Sequence, residues 1–451
     1  MTAVSRLNRR TLLKSSAAGV AALAVPQSLN LNRISAQEAV TVEFWNPGAD
    51  PLGGPIIQQL VDEYNETAGQ EAGIVVNNVP VPGSNDYAKY STAMTSSSSP
   101  DIVMTYGYDP VVPWIANGFV QTMDTQFEEL GMKQDDFYPV AWDMISFDDH
   151  IWGLPQEFDM VEFFWNTEIH SGDPPTTIDE LDAMAADYTQ FDDSGNLTQA
   201  GLIPWAQGGF SPGGYGSWGT IWGARFYDHA NRTWTINRPE NTAFLDWYLK
   251  YVDLLGGREK ADAFISSVPR TYGDIFLYGK TAFAMEGEFI PKEMEKLGLT
   301  AQIDIAHPPI VPDLTTHTTM VDAANIFVLP VNSNHPAEGS HFAKYMVSTD
   351  SLVAWSVPIG QMMPTKAAAN APELLEALPW MALFNETVES GKLLPPPFSP
   401  QANFFAQLLT TAIDEVTYKQ KAPADALAEV EAKIAAAVAE FQQQHPDWVG
   451  E

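Results

Sequence analysis

Beyond position 38 the sequence alternates between two periodicities, and this alternation constrains the fold more than any other feature. In segment 40–44 apolar and polar residues alternate, which predicts a strand. In segment 53–69 apolar residues recur at helical spacing, with a glycine expected just past the helix end. Segments 73–81 and 101–105 again predict strands. Strands that alternate with helices predict an α/β fold built on mainly parallel sheets with right-handed crossovers.

The ends of the predicted strands are the first candidate ligand sites. In open α/β sheets, ligands bind beyond the carboxyl ends of the strands. The first predicted strand ends at Trp45 and Asn46, and the third is followed by Tyr106 and Tyr108. We therefore expect these side chains near a ligand.

The N-terminal segment differs from the rest of the chain. Residues 1–36 contain five basic residues, no acidic residue and one short apolar run. That run is too short to cross a bilayer, which takes about 20 apolar residues. A basic stretch, a short apolar stretch and then small residues are typical of an export signal. We expect cleavage after Ala36, with Ala24 as the alternative.

The two adjacent arginines of this segment indicate an export route. Arg9 and Arg10, followed by leucines and a lysine, resemble the twin-arginine motif, with Leu12 where phenylalanine is common. The resemblance implies a twin-arginine-type signal peptide, whose cargo crosses the membrane already folded.

Composition limits the partners of the exported chain. Removal of the signal leaves 18 basic residues against 57 acidic ones, a net charge of −39. Such a protein repels nucleic acid and anionic lipid. The absence of cysteine excludes disulfides and a lipid-modified N-terminal cysteine. We expect an exported protein on the periplasmic or extracellular side of the cytoplasmic membrane, not lipid-anchored through cysteine, with two domains on grounds of length.

Several segments, in order, resemble a known family. They read "SSSSPDIVMTYG", "HIWGLPQEFDMVEFFWNTEI", "PPTTIDELDAMAADY" and "LYGKTAFAMEGEF". Together they resemble the extracellular solute-binding proteins of family 1, to which maltose-binding protein belongs. The sequence departs from the family pattern at Ile178, where tryptophan is common, and at Asp322-Ala323, where many members carry two glycines.

The resemblance implies a two-lobed periplasmic-binding-protein fold of type II, with a mainly parallel sheet in each lobe. We place lobe 1 at 38–157 plus 322–370, and lobe 2 at 158–321 plus 371–447. The resemblance also implies hinge closure on a solute, which is then passed to the membrane permease of an ABC importer. The expected partners are a sugar-like solute and these permease subunits, and the expected oligomeric state is a monomer.

A glycine-rich segment at 203–227 concentrates aromatic residues. It contains Trp205, Trp218 and Trp222. Aromatic faces suit the apolar C–H patches of sugar rings and also pack well in protein cores. We expect at least one of these tryptophans to line the cleft, with core packing as the alternative for each.

Two pairs of carboxylates occur in strand-like segments. Strand alternation places Glu157 and Asp159 on one face, and Glu286 and Glu288 likewise. Ionised carboxylates accept hydrogen bonds, which sugar hydroxyls donate. The alternatives are a salt bridge or hinge cap, or the paired carboxylates of a glycosidase. We expect binding without catalysis, because no other catalytic motif accompanies the acids.

Other chemistry lacks a motif in the sequence. There is no phosphate-binding loop, and the histidines lack metal-ligand spacing. Segment 192–196 faintly resembles a calcium loop without its final glutamate and is better interpreted as a hairpin turn. We predict no cofactor, no metal and no catalytic residue.

These observations favour an importer receptor for a mono- or oligosaccharide. The alternatives are a polyol, glycerol phosphate, a peptide or a polyamine on the same fold, and a secreted carbohydrate-active enzyme. The predicted ligand-binding residues are Trp45, Asn46, Tyr106, Tyr108, Glu157, Asp159, Trp205, Trp218, Trp222, Glu286, Glu288, Asp322 and Phe404.

Overall fold

The computed structural model describes most of the chain beyond the predicted signal. The described residues are 39–48, 53–81, 87–105, 107–206, 212–269, 274–311, 314, 318–321 and 323–448. The predicted signal peptide, Tyr106 and Asp322 lie outside them.

The strands of the described residues are short and spread along the chain. They are β1 (Val40–Asn46), β2 (Ile74–Pro80), β3 (Ile102–Met104), β4 (Val120–Gln121), β5 (Ser146–Phe147), β6 (His150–Ile151), β7 (Leu154–Asp159), β8 (Val161–Asn166), β9 (Gln190–Phe191), β10 (Leu197–Gln199), β11 (Tyr227–Asp228), β12 (Thr233–Trp234), β13 (Phe283–Gly287), β14 (Ile303–Ala306), β15 (Thr319–Met320), β16 (Ala323–Pro330) and β17 (Leu393–Leu394).

Helices separate most of these strands. They are α1 (Gly53–Glu66), α2 (Ala68–Ala72), α3 (Tyr87–Met94), α4 (Val111–Ala116), α5 (Asp124–Glu129), α6 (Pro139–Asp143), α7 (Ile178–Tyr188), α8 (Pro239–Leu254), α9 (Arg258–Ile265), α10 (Asp274–Leu277), α11 (Ile290–Leu297), α12 (Pro336–Met346), α13 (Thr349–Ile359), α14 (Lys366–Ala369), α15 (Pro372–Ala377), α16 (Met381–Glu389), α17 (Ala402–Thr417) and α18 (Pro423–Gln444), with a π-helical turn at Tyr215–Gly219.

The larger sheet has the order β2-β1-β3-β16-β4, and β7 also pairs with β16. Strand β1 is parallel to β2 and to β3, as the alternating pattern predicts. Strand β16 is antiparallel to β3, β4 and β7. The sheet is therefore mixed, because β16 enters it from a distant part of the chain and runs against its neighbours.

The second sheet differs from the expectation of mainly parallel pairing. Its order is β13-β8-β14, and β8 is antiparallel to both neighbours. Helix α11 lies between β13 and β14 in the chain, so the two outer strands run in the same direction. Because β8 lies between them and runs the other way, neither pair is parallel.

Local sequence signals place most elements correctly. Helix α1 buries Ile57, Leu60, Val61 and Tyr64 at the predicted helical spacing. Gly69 lies inside α2, which follows α1 after a break at position 67. This glycine therefore does not end the helical region. The predicted hairpin at 192–196 joins antiparallel β9 and β10.

Two large hydrophobic cores form around the two sheets. The first core contains β1, β3 and β16 together with residues from α12 to α16. The second packs on one face of β8 and β13, with residues from the π-helical turn, α8, α17 and α18, whereas Phe164 and Ala284 on the other face belong to the first core. Met160 belongs to the first core and its neighbour Val161 to the second. Likewise, Met320 belongs to the second core and its neighbour Val321 to the first. The lobe boundaries themselves stay a prediction.

Among the described residues, every helix is too short or too polar to cross a bilayer.

Candidate ligand-binding cavity

A cavity of about 600 Å³ lies where the chain changes between the two cores. Residues from both cores line it. They are Tyr87, Gly107, Tyr108, Asp109, Glu157, Asp159, Tyr215, Met320, Val321, Ala323, Asn325, Gln361, Pro396, Pro397, Ala402, Asn403, Ala406, Gln407 and Thr410. The volume is within the range of small-molecule sites.

Strand pairing fixes the first carboxylate of the cavity. Glu157 on β7 lies directly opposite Asn325 on β16. Asn325 Nδ2 donates to Glu157 Oε1 at 2.5 Å, and Trp355 Nε1 donates to Oε2 at 2.5 Å. The backbone N–H of Gly107 donates to Asn325 Oδ1 at 3.2 Å. This network joins β7, β16, α13 and the loop after β3 at the cavity wall.

Asp159 is the second carboxylate of the cavity, and the buried carboxyl group of Glu288 lies behind it. Asp159 lies two residues after Glu157 on β7, on the same strand face, and Gln361 Nε2 donates to its Oδ1 at 2.8 Å. Behind it, Glu288 is fully buried and accepts backbone hydrogen bonds from Met160 at 3.2 Å and Met362 at 3.4 Å. Burial, followed by the charge and the hydrogen bond of Asp159, raises the pKa of Glu288 well above its ordinary value. Glu288 therefore carries the proton that it shares with Asp159.

Three tyrosines form aromatic walls. Tyr108 and Tyr215 are nearly buried, and Tyr215 packs edge-on against Phe405 with a centroid distance of 5.7 Å. Burial, and then the nearby Asp109, raise the pKa of Tyr87 to about 12. The three tyrosines thus present partly buried rings and neutral phenol groups to a ligand.

Asp109 is the third carboxylate of the cavity. Its side chain lines the cavity and is reached by solvent, and partial desolvation by the surrounding protein raises its pKa. It has no hydrogen-bond or ion-pair partner among the described residues, in contrast to Glu157 and Asp159.

One face of α17 closes another side of the cavity. Ala402, Asn403, Ala406, Gln407 and Thr410 all line it, and their spacing places them on one side of a helix.

Three of the predicted site residues therefore line the cavity: Tyr108, Glu157 and Asp159. The carboxylate pair of β7 could be predicted because strand alternation is a local property.

The three tryptophans of the glycine-rich segment pack in the second core instead of lining the cavity. Trp218 is fully buried and lies 5.1 Å from Trp247 between ring centroids. Trp222 lies 5.9 Å from the same ring, and the guanidinium of Arg258 lies 5.2 Å from the ring of Trp205. All three tryptophans therefore adopt the alternative placement, packing in a core.

The remaining predicted residues also lie away from the cavity lining. Glu286 is fully buried in the second sheet opposite Glu162. Asn46 is buried and holds a turn, since its Oδ1 accepts from the N–H of Gly48 at 2.8 Å. Trp45 packs edge-on against Tyr90, Glu288 lies behind Asp159, and Phe404 is 41% exposed on the α17 face away from the cavity.

Sequence reasoning missed other lining residues. Asp109 follows Tyr108 directly and could have been included with it. Tyr215 lies in the glycine-rich segment, where the sequence prediction selects only the tryptophans. Asn325 and Gln361 carry no sequence signal, because their roles depend on partners far away in the chain.

In the described part of the chain, no group of three or more His, Cys, Asp or Glu residues could hold a metal ion.

Solved structures share the fold over most of the chain. CpMnBP1 with mannotriose bound is 22% identical, with a TM-score of 0.74 over 87% of this chain and 99% of that one. A cyclo/maltodextrin-binding protein complexed with maltotetraose is 18% identical, with a TM-score of 0.70 over 91% and 98%. The maltose/maltodextrin-binding domain of Bdellovibrio bacteriovorus bound to maltotriose is 16% identical, with a TM-score of 0.67 over 89% and 100%.

These likenesses establish the fold, a type II periplasmic-binding-protein architecture. No curated protein matches the chain in sequence. The family model for bacterial extracellular solute-binding proteins matches residues 59–382, more than half of the chain. The fold and the cavity between the two cores agree with this match. The chain belongs to the bacterial extracellular solute-binding proteins.

Proposed function

We propose that the chain is the carbohydrate receptor of an ABC importer, which binds a mono- or oligosaccharide in the cavity and delivers it to the membrane permease. The observation that carries this proposal is the cavity lining, where three tyrosine rings stand beside carboxylate and amide groups. Rings pack on the C–H faces of a sugar, and the polar groups accept from its hydroxyls. The structural relatives with bound mannotriose, maltotetraose and maltotriose support the same class of solute.

Within the cavity we propose Tyr108, Glu157 and Asp159 as ligand contacts, together with Tyr215. The family and its neighbours are binding proteins, and we propose that this chain releases its ligand unchanged. The carboxylates support this role, because Glu157 already accepts two hydrogen bonds and Asp159 shares a proton with Glu288. Neither is arranged as an independent acid and base.

Calorimetric titration of the mature protein with mannotriose, maltotriose and maltotetraose tests the proposal. We expect binding of at least one of these sugars, and recovery of the intact sugar by mass spectrometry. Tyr215→Ala should weaken that binding about tenfold, a loss of about 1.4 kcal/mol, since an aromatic wall of the cavity is removed. Tyr345→Ala, outside the cavity lining, is the control. Cleavage of the sugar would support the enzyme alternative, and the absence of any sugar binding would refute the proposal.

Family membership implies export, and we propose the twin-arginine route for it, without a lipid anchor on cysteine. Replacement of Arg9 and Arg10 by lysine should leave precursor in the cytoplasm, as seen by fractionation. Unchanged secretion would indicate the general route instead.

A further inference from the structure

Helix α13 contributes to the ligand cavity from behind its wall. Trp355 lies on this helix, is 5% exposed and packs in the first core, outside the cavity lining. Its indole N–H nevertheless donates to Oε2 of Glu157, which lines the cavity. A core residue is therefore bonded directly to one of the proposed ligand contacts.

The carboxylate of Glu157 is fixed at both of its oxygen atoms. Asn325 Nδ2 donates to Oε1 at 2.5 Å, and Trp355 Nε1 donates to Oε2 at 2.5 Å. The N–H of Gly107 donates to Asn325 Oδ1 at 3.2 Å, which sets the orientation of that amide. An indole N–H only donates, so the contact with Trp355 requires an acceptor oxygen at Oε2. Rotation of the carboxylate would break at least one of these hydrogen bonds.

The end of α13 is held by a tight turn that also serves the second carboxylate. Gly360 has a φ of 84°, and its N–H donates to the carbonyl of Ser356 at 2.6 Å. A Cβ on Gly360 would lie 3.1 Å from the Cα of Phe289, so the turn and the close packing both favour glycine. The next residue, Gln361, donates to Asp159 at 2.8 Å. One helix and its terminal turn therefore supply a donor to each carboxylate of β7.

A carboxylate that is already oriented binds a ligand better than a mobile one. Ordering a side chain during binding costs free energy, so a group held beforehand in its bound orientation gives higher affinity. A carboxylate oxygen can accept more than one hydrogen bond, so sugar hydroxyl groups can add to those that Glu157 already accepts.

We propose that Trp355 is a positioning residue of the ligand site, which holds the carboxylate of Glu157 through its indole N–H in the orientation that meets the sugar hydroxyl groups. This inference rests on the proposed carbohydrate function and assigns a part in it to a residue outside the cavity lining. Affinity for the sugar then depends on a hydrogen bond that the ligand itself does not make.

Trp355→Phe tests the proposal, because it removes the N–H and keeps an aromatic ring in the core. The probe is whichever of mannotriose, maltotriose and maltotetraose the parent binds, and affinity is measured by calorimetric titration. We expect about tenfold weaker binding, since the carboxylate loses one of the hydrogen bonds that fix it. If this variant does not fold, replacement of Trp355 by its benzothienyl analogue, with sulfur in place of the N–H, gives the same comparison.

Trp247→Phe is the matched control. Trp247 is 1% exposed, and its indole N–H also donates to a carboxylate, that of Asp182, at 2.9 Å. Both residues lie outside the cavity lining. This variant should lose stability in urea denaturation but keep the affinity of the parent.

A double-mutant cycle shows whether the effect passes through Glu157. In the Glu157→Ala background, titrated at higher sugar concentration, Trp355→Phe should change the affinity less than about twofold, because the group that it positions is gone. In the Tyr215→Ala background the loss of about tenfold should remain, because that ring is an independent contact. A purely structural role of Trp355 would give the same loss in both backgrounds.

The outcomes separate this inference from the proposed function. If Trp355→Phe binds the sugar as tightly as the parent, or if its loss is equal in the two backgrounds, the positioning role is overturned and the carbohydrate proposal stands. If the parent binds none of the three sugars, the carbohydrate proposal fails and this inference fails with it.

Discussion

At the scale of single residues, the Asp159–Glu288 pair shows how burial separates two similar carboxyl groups. Both are nearly or fully inaccessible, but only Asp159 lines the cavity. Two like charges so close cannot both ionise without a large free-energy cost. Glu288 therefore holds a proton and lies behind Asp159, outside the described cavity lining.

This pair makes stability depend on pH. The folded pKa of Glu288 is raised well above its ordinary value of 4.5. A raised folded pKa means that the stabilisation is complete below pH 4.5 and is lost as pH rises through the folded pKa. We expect Glu288→Gln, which stays neutral, to remove this loss, so that the variant gains free energy of unfolding relative to the parent as pH increases. Urea unfolding between acidic and alkaline pH measures it.

Glu168→Gln is the matched control, because Glu168 is exposed. The pH dependence of Glu288→Gln is compared with that of this control. A constant difference from the parent for Glu288→Gln would mean that Glu288 is not a buried proton carrier.

At the scale of elements, the glycine-rich segment packs aromatics into the second core while it presents one ring to the cavity. Gly213 and Gly214 have positive φ values of 59° and 75°, the left-handed region that favours glycine. A Cβ on Gly214 would lie 2.8 Å from the hydroxyl of Tyr248. These two glycines allow the tight turn from which Tyr215 reaches the cavity and Trp218 reaches the core.

Trp218 should therefore matter for stability more than for binding. Trp218→Ala removes a fully buried ring that packs on Trp247 and Phe163. We expect the free energy of unfolding to fall by about 3–5 kcal/mol, as measured by urea denaturation. Trp222→Ala should cost less, because that ring is only partly buried. A tenfold loss of sugar binding by Trp218→Ala without loss of stability would contradict the core placement.

At the scale of the whole molecule, the chain passes between the two cores at β7–β8 and at β15–β16, beside the cavity. We propose that these crossovers are hinges between two lobes. The lobe boundaries stay those predicted from the sequence, 38–157 plus 322–370 for lobe 1 and 158–321 plus 371–447 for lobe 2. Hinge closure around a ligand is the documented motion of periplasmic binding proteins.

Ligand should then compact the protein. With a saturating concentration of whichever sugar binds in calorimetry, we expect the radius of gyration from small-angle scattering to decrease, because both lobes contact the ligand. A sugar that does not bind serves as the control. Binding with an unchanged radius of gyration would exclude the hinge assignment.

Local patterns in the sequence determine a large part of this protein. The alternation of strand and helix periodicities predicts the α/β class and the order of β1, α1, β2 and β3. It also places Glu157 and Asp159 on one strand face. These features are local because side-chain direction repeats every 2 residues in a strand and about every 3.6 in a helix.

Only the tertiary structure decides which side chains meet at the cavity. Glu157 and Asn325 are 168 positions apart in the chain and become partners only because β16 pairs with β7. Aromatic residues in one glycine-rich segment can either pack in a core or line a cleft, and the sequence does not distinguish the two. Here Tyr215 faces the cavity, whereas Trp218 is enclosed by α8. Strand direction in the second sheet is likewise set by which strands lie beside β8. Burial and pairing depend on contacts between distant segments, and a local sequence pattern does not specify those contacts.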